Sequence, residues 1–210
     1  MGAPLRDLLD GDAGPQWMAR VAQALAHLHA APLAPHATAA PRSVAHWVAE
    51  VRRRQQKIER IDAPLAPRAA AVAGAIAAQA ERQSQRPLSL IHGDWHHDQV
   101  WVDGTRVLLF DFDEFTLGDP MEDLAEFVLK LEQRDAPAAH TQALTDALLS
   151  HYEAAAPARF DRASLAWHLA IQSLLQASRA FIYQQPGWAD TVQQRLAMRG
   201  ADGRDRDRAS

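Results

Sequence analysis

Apolar residues recur at helical spacing through most of the chain. Met18, Val21, Leu25 and Leu28 step by three and four behind Pro15, a favoured first-turn residue, and predict a helix from Pro15 to about Ala30. Ala31 to Pro41, with three prolines, reads as a connector. Val44, Val48, Val51 and Ile58 then mark one face of a second helix, Ser43 to Ile61, whose other face shows Arg52, Arg53 and Arg54 to solvent. Val72, Ile76 and Ala80 predict a third from Pro67 to about Arg86, stopped by Pro87. Further on, helices are expected over Pro120–Gln133 (Leu124, Phe127, Val128 and Leu131 inward), Ala139–Tyr152 and Asp161 to about Tyr183. A last short helix is expected from Trp188 to Met198, and residues 200–210 alternate Arg and Asp as a disordered polar tail.

The helical pattern breaks between Leu88 and Asp113. Leu88 to Ile91 is a short apolar run ending in His92-Gly93-Asp94, the signature of a buried strand opening into a functional loop. Val100 to Val102 and Val107 to Phe110 flank Asp103-Gly104-Thr105-Arg106, a hairpin signal that folds Asp111 back toward Asp94.

Charge sharpens this picture. The chain has 210 residues and a net charge of −4, yet ten acids and one base, Arg106, lie between Asp94 and Glu126. Carboxylates gathered in a site of low dielectric need protons, a basic partner or a cation. Oxygen donors of this kind suit a hard ion such as magnesium. With no cysteine, disulfides and thiolate metal sites are excluded. Neither a basic aromatic stripe nor a membrane-length apolar segment appears, so neither nucleic acid nor membrane is an expected partner, and a cytoplasmic location is expected.

His92-Gly93-Asp94, the carboxamide of Gln99, Phe110-Asp111-Phe112-Asp113, Gly118-Asp119-Pro120 and Asp123-Leu124-Ala125 together resemble the aminoglycoside phosphotransferase and choline kinase family. The resemblance implies an α+β, mainly helical fold: a protein-kinase-like C-terminal lobe over residues 1–199, with a short β-hairpin around the catalytic loop. It implies that Asp94 orients or deprotonates an acceptor hydroxyl and that Asp111, with Gln99, ligands Mg2+ on the phosphates of ATP or GTP. Asp119 and Asp123 would brace the loop. Gln99 stands where the family most often has Asn, one methylene closer to the backbone. No Gly-rich phosphate loop is found in the sequence, and Lys57 and Lys130, the only lysines, sit in helical patterns. The N-terminal lobe is thus expected to be absent from this chain, or supplied by a partner chain.

His92 is expected to support the loop from behind, and His96 matches a position often occupied by His in the family. Asp113 is open between metal binding, contact with a cationic acceptor and solvent. Trp95 is the candidate acceptor wall, Glu114 and Glu122 read as a solvated face, and Asp98 is expected to face water. His168 and Tyr183 fall on late helices that would line the acceptor pocket, with packing the stronger reading. Two rival functions stand beside a small-molecule kinase. One is an inactive binding or regulatory module, or half of a split enzyme. The other is a metal-dependent hydrolase using His92, Asp94, His96, His97, Asp98 and Asp111.

Overall fold

The expected helices form where apolar stripes can be covered. A computed structural model describes residues 2–32, 40–61 and 64–182, and these divide into two compact units: residues up to 42 with 87–165, and residues 43–86 with 166 onward. The expected helix at Trp188–Met198, Tyr183 and the tail over 200–210 lie outside the described residues.

In the first unit, α1 (Gly14–Ala30) begins with Pro15 in its first turn. Its buried Met18, Val21, Leu25 and His29 recur every three or four residues, and the helix packs against a matching stripe of Leu144, Leu148 and Tyr152 on the later helix α6 (Ala138–Ala155). The second unit holds α2 (Val44–Ile61), α3 (Ala66–Ala78), α4 (Ala80–Ser84) and most of α7 (Arg162–Ile182). The single helix expected from Pro67 to Arg86 is broken at Gln79, whose N–H turns to the carbonyl of Ile76, a tighter bond than the α pattern. Trp47, Val51 and Ile58 of α2 share a core with Val72 and Ile76 of α3 and Ile171 and Leu174 of α7. Trp167 is buried there too, and its indole N–H donates to the Ile76 carbonyl at 2.9 Å. His168 is buried in the same unit, edge-on to Trp47 and Trp167.

The strands of the first unit position the site. β2 (Ser89–Ile91) pairs antiparallel with β5 (Thr116–Gly118), in register Ser89 to Gly118 and Ile91 to Thr116. Residues 92–115 are therefore one excursion clamped at both ends. Within it, β3 (Val100–Asp103) and β4 (Arg106–Leu109) form the expected hairpin, with β1 (Ala3–Pro4) added on the far edge of β3. Asp103 pairs with Arg106, so Gly104 and Thr105 make the turn, and only Gly104 has positive φ (60°). That places glycine first in the turn, the type II′ pattern, instead of second behind Asp103. α5 (Pro120–Glu132) follows β5, and α6 (Ala138–Ala155) precedes α7. Nearly every residue of α5 from Pro120 to Leu131 is buried, including three acids. Among the described residues no helix is long and apolar enough to cross a membrane.

Candidate active site

Asp94 sits on the loop that leaves β2, with its side chain 42% exposed. Gly93 before it has φ of +85°, and a Cβ there would lie 2.3 Å from the Glu114 carbonyl oxygen, so only glycine fits. Asp123 of α5 fastens the loop from below. Its two carboxylate oxygens accept the backbone N–H groups of His92 and Gly93, each at 2.8 Å. The same carboxylate takes a hydrogen bond from His29 Nε2 at 3.0 Å, and the Tyr152 hydroxyl lies 2.6 Å from His29 Nδ1. With Nε2–H committed to the carboxylate, His29 Nδ1 faces the Tyr152 hydroxyl. Burial opposes charge on Asp123, but His29 and the two N–H groups outweigh it and hold the carboxyl below its ordinary value.

His92 is fully buried, and its Nε2 donates to the Phe110 carbonyl at 2.8 Å. That bond joins the Asp94 loop to the residue preceding Asp111. Asp111 itself adopts the left-handed region (φ 62°, ψ 64°), the one described non-glycine residue with positive φ. A conformation costing about 1 kcal/mol or more survives where neighbouring structure enforces it, and such sites cluster at functional centres. Here it is enforced between β4 and the single-turn helix Phe112–Glu114.

Gln99, at the start of the hairpin, reaches Asp111: its amide terminus is 3.0 Å from Asp111 Oδ2 and 3.4 Å from His96 Nε2. His96 Nδ1 accepts the Asp98 N–H at 3.3 Å. Burial, helped by Lys130 and opposed by Asp94 and Asp98, lowers the His96 pKa. Gln99 Nε2 donates to Asp111 Oδ2 at 3.0 Å, which sets the carboxamide beside the carboxylate. Carboxylate and amide oxygens are donor types that magnesium takes, so these two side chains would suit it, with substrate phosphates to complete the shell.

Other acids of the cluster are neutralised within the protein. Glu122, expected on a solvated face, is fully buried, because Arg42 Nη1 donates to its Oε1 at 2.6 Å. Glu126 is also buried, and its pKa is pushed up to about 8, by burial first and then by the negative charge of Asp94. Asp119 accepts the Met121 N–H at the start of α5 and takes a 2.7 Å bond from the Ser164 hydroxyl.

A model of the phosphotransferase enzyme family matches residues 2–168. The chain belongs to that family. Solved structures similar to this phosphotransferase-family chain include a glucosamine kinase, with TM-score 0.68, 21% identity and coverage of 92% of this chain and 55% of that one. An aminoglycoside phosphotransferase from Streptomyces rimosus gives 0.60, 16%, 83% and 66%. A choline kinase from Streptococcus pneumoniae gives 0.58, 19%, 90% and 66%. At such identities the likeness is one of fold, and this chain spans between half and two thirds of those proteins. No curated protein sequence matches it.

The expected fold class is the one found, α+β and mainly helical with small sheets. The structure brings together Asp94, His96, Gln99 and Asp111. Trp95 does not join them as an exposed acceptor wall: it is fully buried against His92 and Phe127. Asp113 is exposed, and Asp98 is 44% exposed beside Arg6. The convergent cluster that a metal hydrolase requires is not formed. His92 faces the core, burial lowers His97 to about 4, and no group of three or more His, Asp or Glu among the described residues is arranged to hold a metal. His29, Tyr152 and Arg42 were not singled out by the sequence, because each reaches the site across long stretches of chain.

Proposed function

We propose that this chain carries the catalytic lobe of a phosphotransferase that moves the γ-phosphoryl group of Mg-ATP or Mg-GTP to a hydroxyl of a small molecule. The observation that carries this reading is the pairing of Gln99 with Asp111 at 3.0 Å, on a left-handed residue, next to a solvent-reachable Asp94 whose loop is held by buried bonds.

Asp94 would accept the proton of the acceptor hydroxyl while the hydroxyl oxygen bonds to the γ-phosphorus and the bond from that phosphorus to the β-phosphate oxygen breaks, releasing the nucleoside diphosphate. Asp111 and Gln99 would hold magnesium, which when bound neutralises negative charge on the phosphates. Asp123, His29 and the N–H groups of His92 and Gly93 keep Asp94 in place beforehand. Preorganised groups need little rearrangement at the moment of transfer, so positioning supplies much of the rate.

Support for the co-substrates comes from similar proteins: a glucosamine kinase is seen with glucosamine, ADP and phosphate, and an aminoglycoside phosphotransferase with ADP and streptomycin. By analogy, the acceptor is a small hydroxyl-bearing molecule. Asp94, Asp98 and Asp113 favour a cationic one. The test is titration of the protein with nucleotide, with and without magnesium, followed by phosphorus NMR with amino sugars and amino alcohols. Magnesium-dependent binding with transfer supports the reading, and binding without transfer makes this chain a nucleotide-binding module instead.

A further inference from the structure

Asp94 and Asp111 lie on separate loops, and the reaction proposed above requires them to stay at a fixed separation. Arg42 spans the backbone around both. Its Nη1 donates to the Gly93 carbonyl at 2.7 Å, immediately before Asp94, and to Glu122 Oε1 at 2.6 Å. Its Nη2 donates to Glu114 Oε2 at 2.6 Å, three residues after Asp111. The Arg42 backbone is itself fixed, its N–H donating to the Leu117 carbonyl in β5 at 2.8 Å. Burial disfavours a charge on Arg42, but Glu122 and Glu114 more than compensate and raise its pKa. One rigid planar fork thus grips the Asp94 loop, the segment after Asp111 and the buried start of α5 together.

We propose that Arg42 is a positioning residue that sets the separation of the Asp94 and Asp111 loops, and this rests on the phosphotransferase reading of the site. Lysine cannot replace it, because an ammonium offers no planar fork to reach three acceptors at once. The arm to Glu114 is the adjustable one, since the Glu114 side chain is 63% exposed, whereas Glu122 is fully buried.

The test uses the full chain with Arg42→Met, Arg42→Lys and Glu114→Gln, the last being a surface change that leaves the fold intact. Amide hydrogen exchange is followed peptide by peptide, and kcat and nucleotide KM are measured per folded molecule. In Arg42→Met, exchange over residues 92–99 and 112–116 should rise on the order of tenfold, the equivalent of one charge-assisted hydrogen bond, while α1 and α6 keep their protection. Turnover should fall about a hundredfold with nucleotide KM unchanged. Arg42→Lys should recover only part of either loss, and Glu114→Gln should loosen residues 112–116 alone. Unchanged exchange over 92–99, a uniform rise across the whole unit, or full turnover per folded molecule in Arg42→Met would overturn the proposal. If the unaltered protein transfers no phosphoryl group, the phosphotransferase reading fails, while the exchange pattern still decides whether Arg42 holds the two loops.

Discussion

His29 and Asp123, 94 residues apart in sequence, meet at 3.0 Å with both side chains fully buried. The carboxylate between them and the Asp94 loop is charged because three donors serve it. Removing one member of such a buried set leaves the others uncompensated, which costs more than the bond itself contributed.

His29→Leu removes one of the three donors to the buried Asp123 carboxylate, and is expected to destabilise the protein by about 3 kcal/mol. His29→Gln retains a donor for Asp123 and should recover part of that loss. Chemical denaturation of both variants checks this, and equal stabilities would show that the hydrogen bond matters less than packing.

Gly93→Ala is expected to be more disruptive than its size suggests. The added Cβ would lie 2.3 Å from a carbonyl oxygen that belongs to the backbone, and the φ of +85° is one that L side chains rarely adopt. A loss of about 2 kcal/mol or more is predicted, with the Asp94 loop displaced. Thermal unfolding reports the first effect and crystallography of the variant the second.

Glu126 predicts a pH dependence. Its pKa rises from 4.5 to about 8 on folding, so between those values the folded state binds a proton that the unfolded chain has released. Stability therefore falls as pH rises through this window, by at most about 1.4 kcal/mol per unit from this group. Glu126→Gln, which stays neutral, should flatten the decline and be the more stable protein above pH 8. Parallel slopes for the two proteins in urea denaturation from pH 5 to 9 would contradict the assignment.

Asp111→Asn removes the charge, and Gln99→Leu the carboxamide, of the two proposed magnesium ligands. Both are expected to weaken nucleotide binding about tenfold or more in magnesium, while leaving the weak metal-free binding unchanged. Calorimetric titration with and without the metal reads this directly. A loss that is the same in both conditions would point to a contact with the nucleotide itself.

The site was legible in the sequence where its residues lie close together along the chain. His92, Asp94, Gln99 and Asp111 fall on one short excursion, and a glycine turn between apolar runs folds its hairpin. The partners that hold it were hidden because they come from afar: Tyr152 meets His29 across 123 residues, and Arg42 meets Glu122 across 80. Glu122 was misread for the same reason. An acid among acids near the start of a helix reads as solvated until a distant arginine is brought over it. Trp95 was misread because adjacency to Asp94 suggested a ligand wall, whereas the indole turns inward and is fully buried. β5 is three residues long, too short for any alternation to show, yet its pairing with β2 closes the whole excursion.

The most direct test is phosphoryl transfer from Mg-ATP to an amino-sugar or amino-alcohol acceptor, followed by phosphorus NMR, for the unaltered protein and for Asp94→Asn. The expected result is transfer by the former and a loss of about a hundred- to ten-thousandfold in the latter, with magnesium-dependent nucleotide binding retained. Equal rates in the two proteins would contradict the role of Asp94 and the reaction built on it.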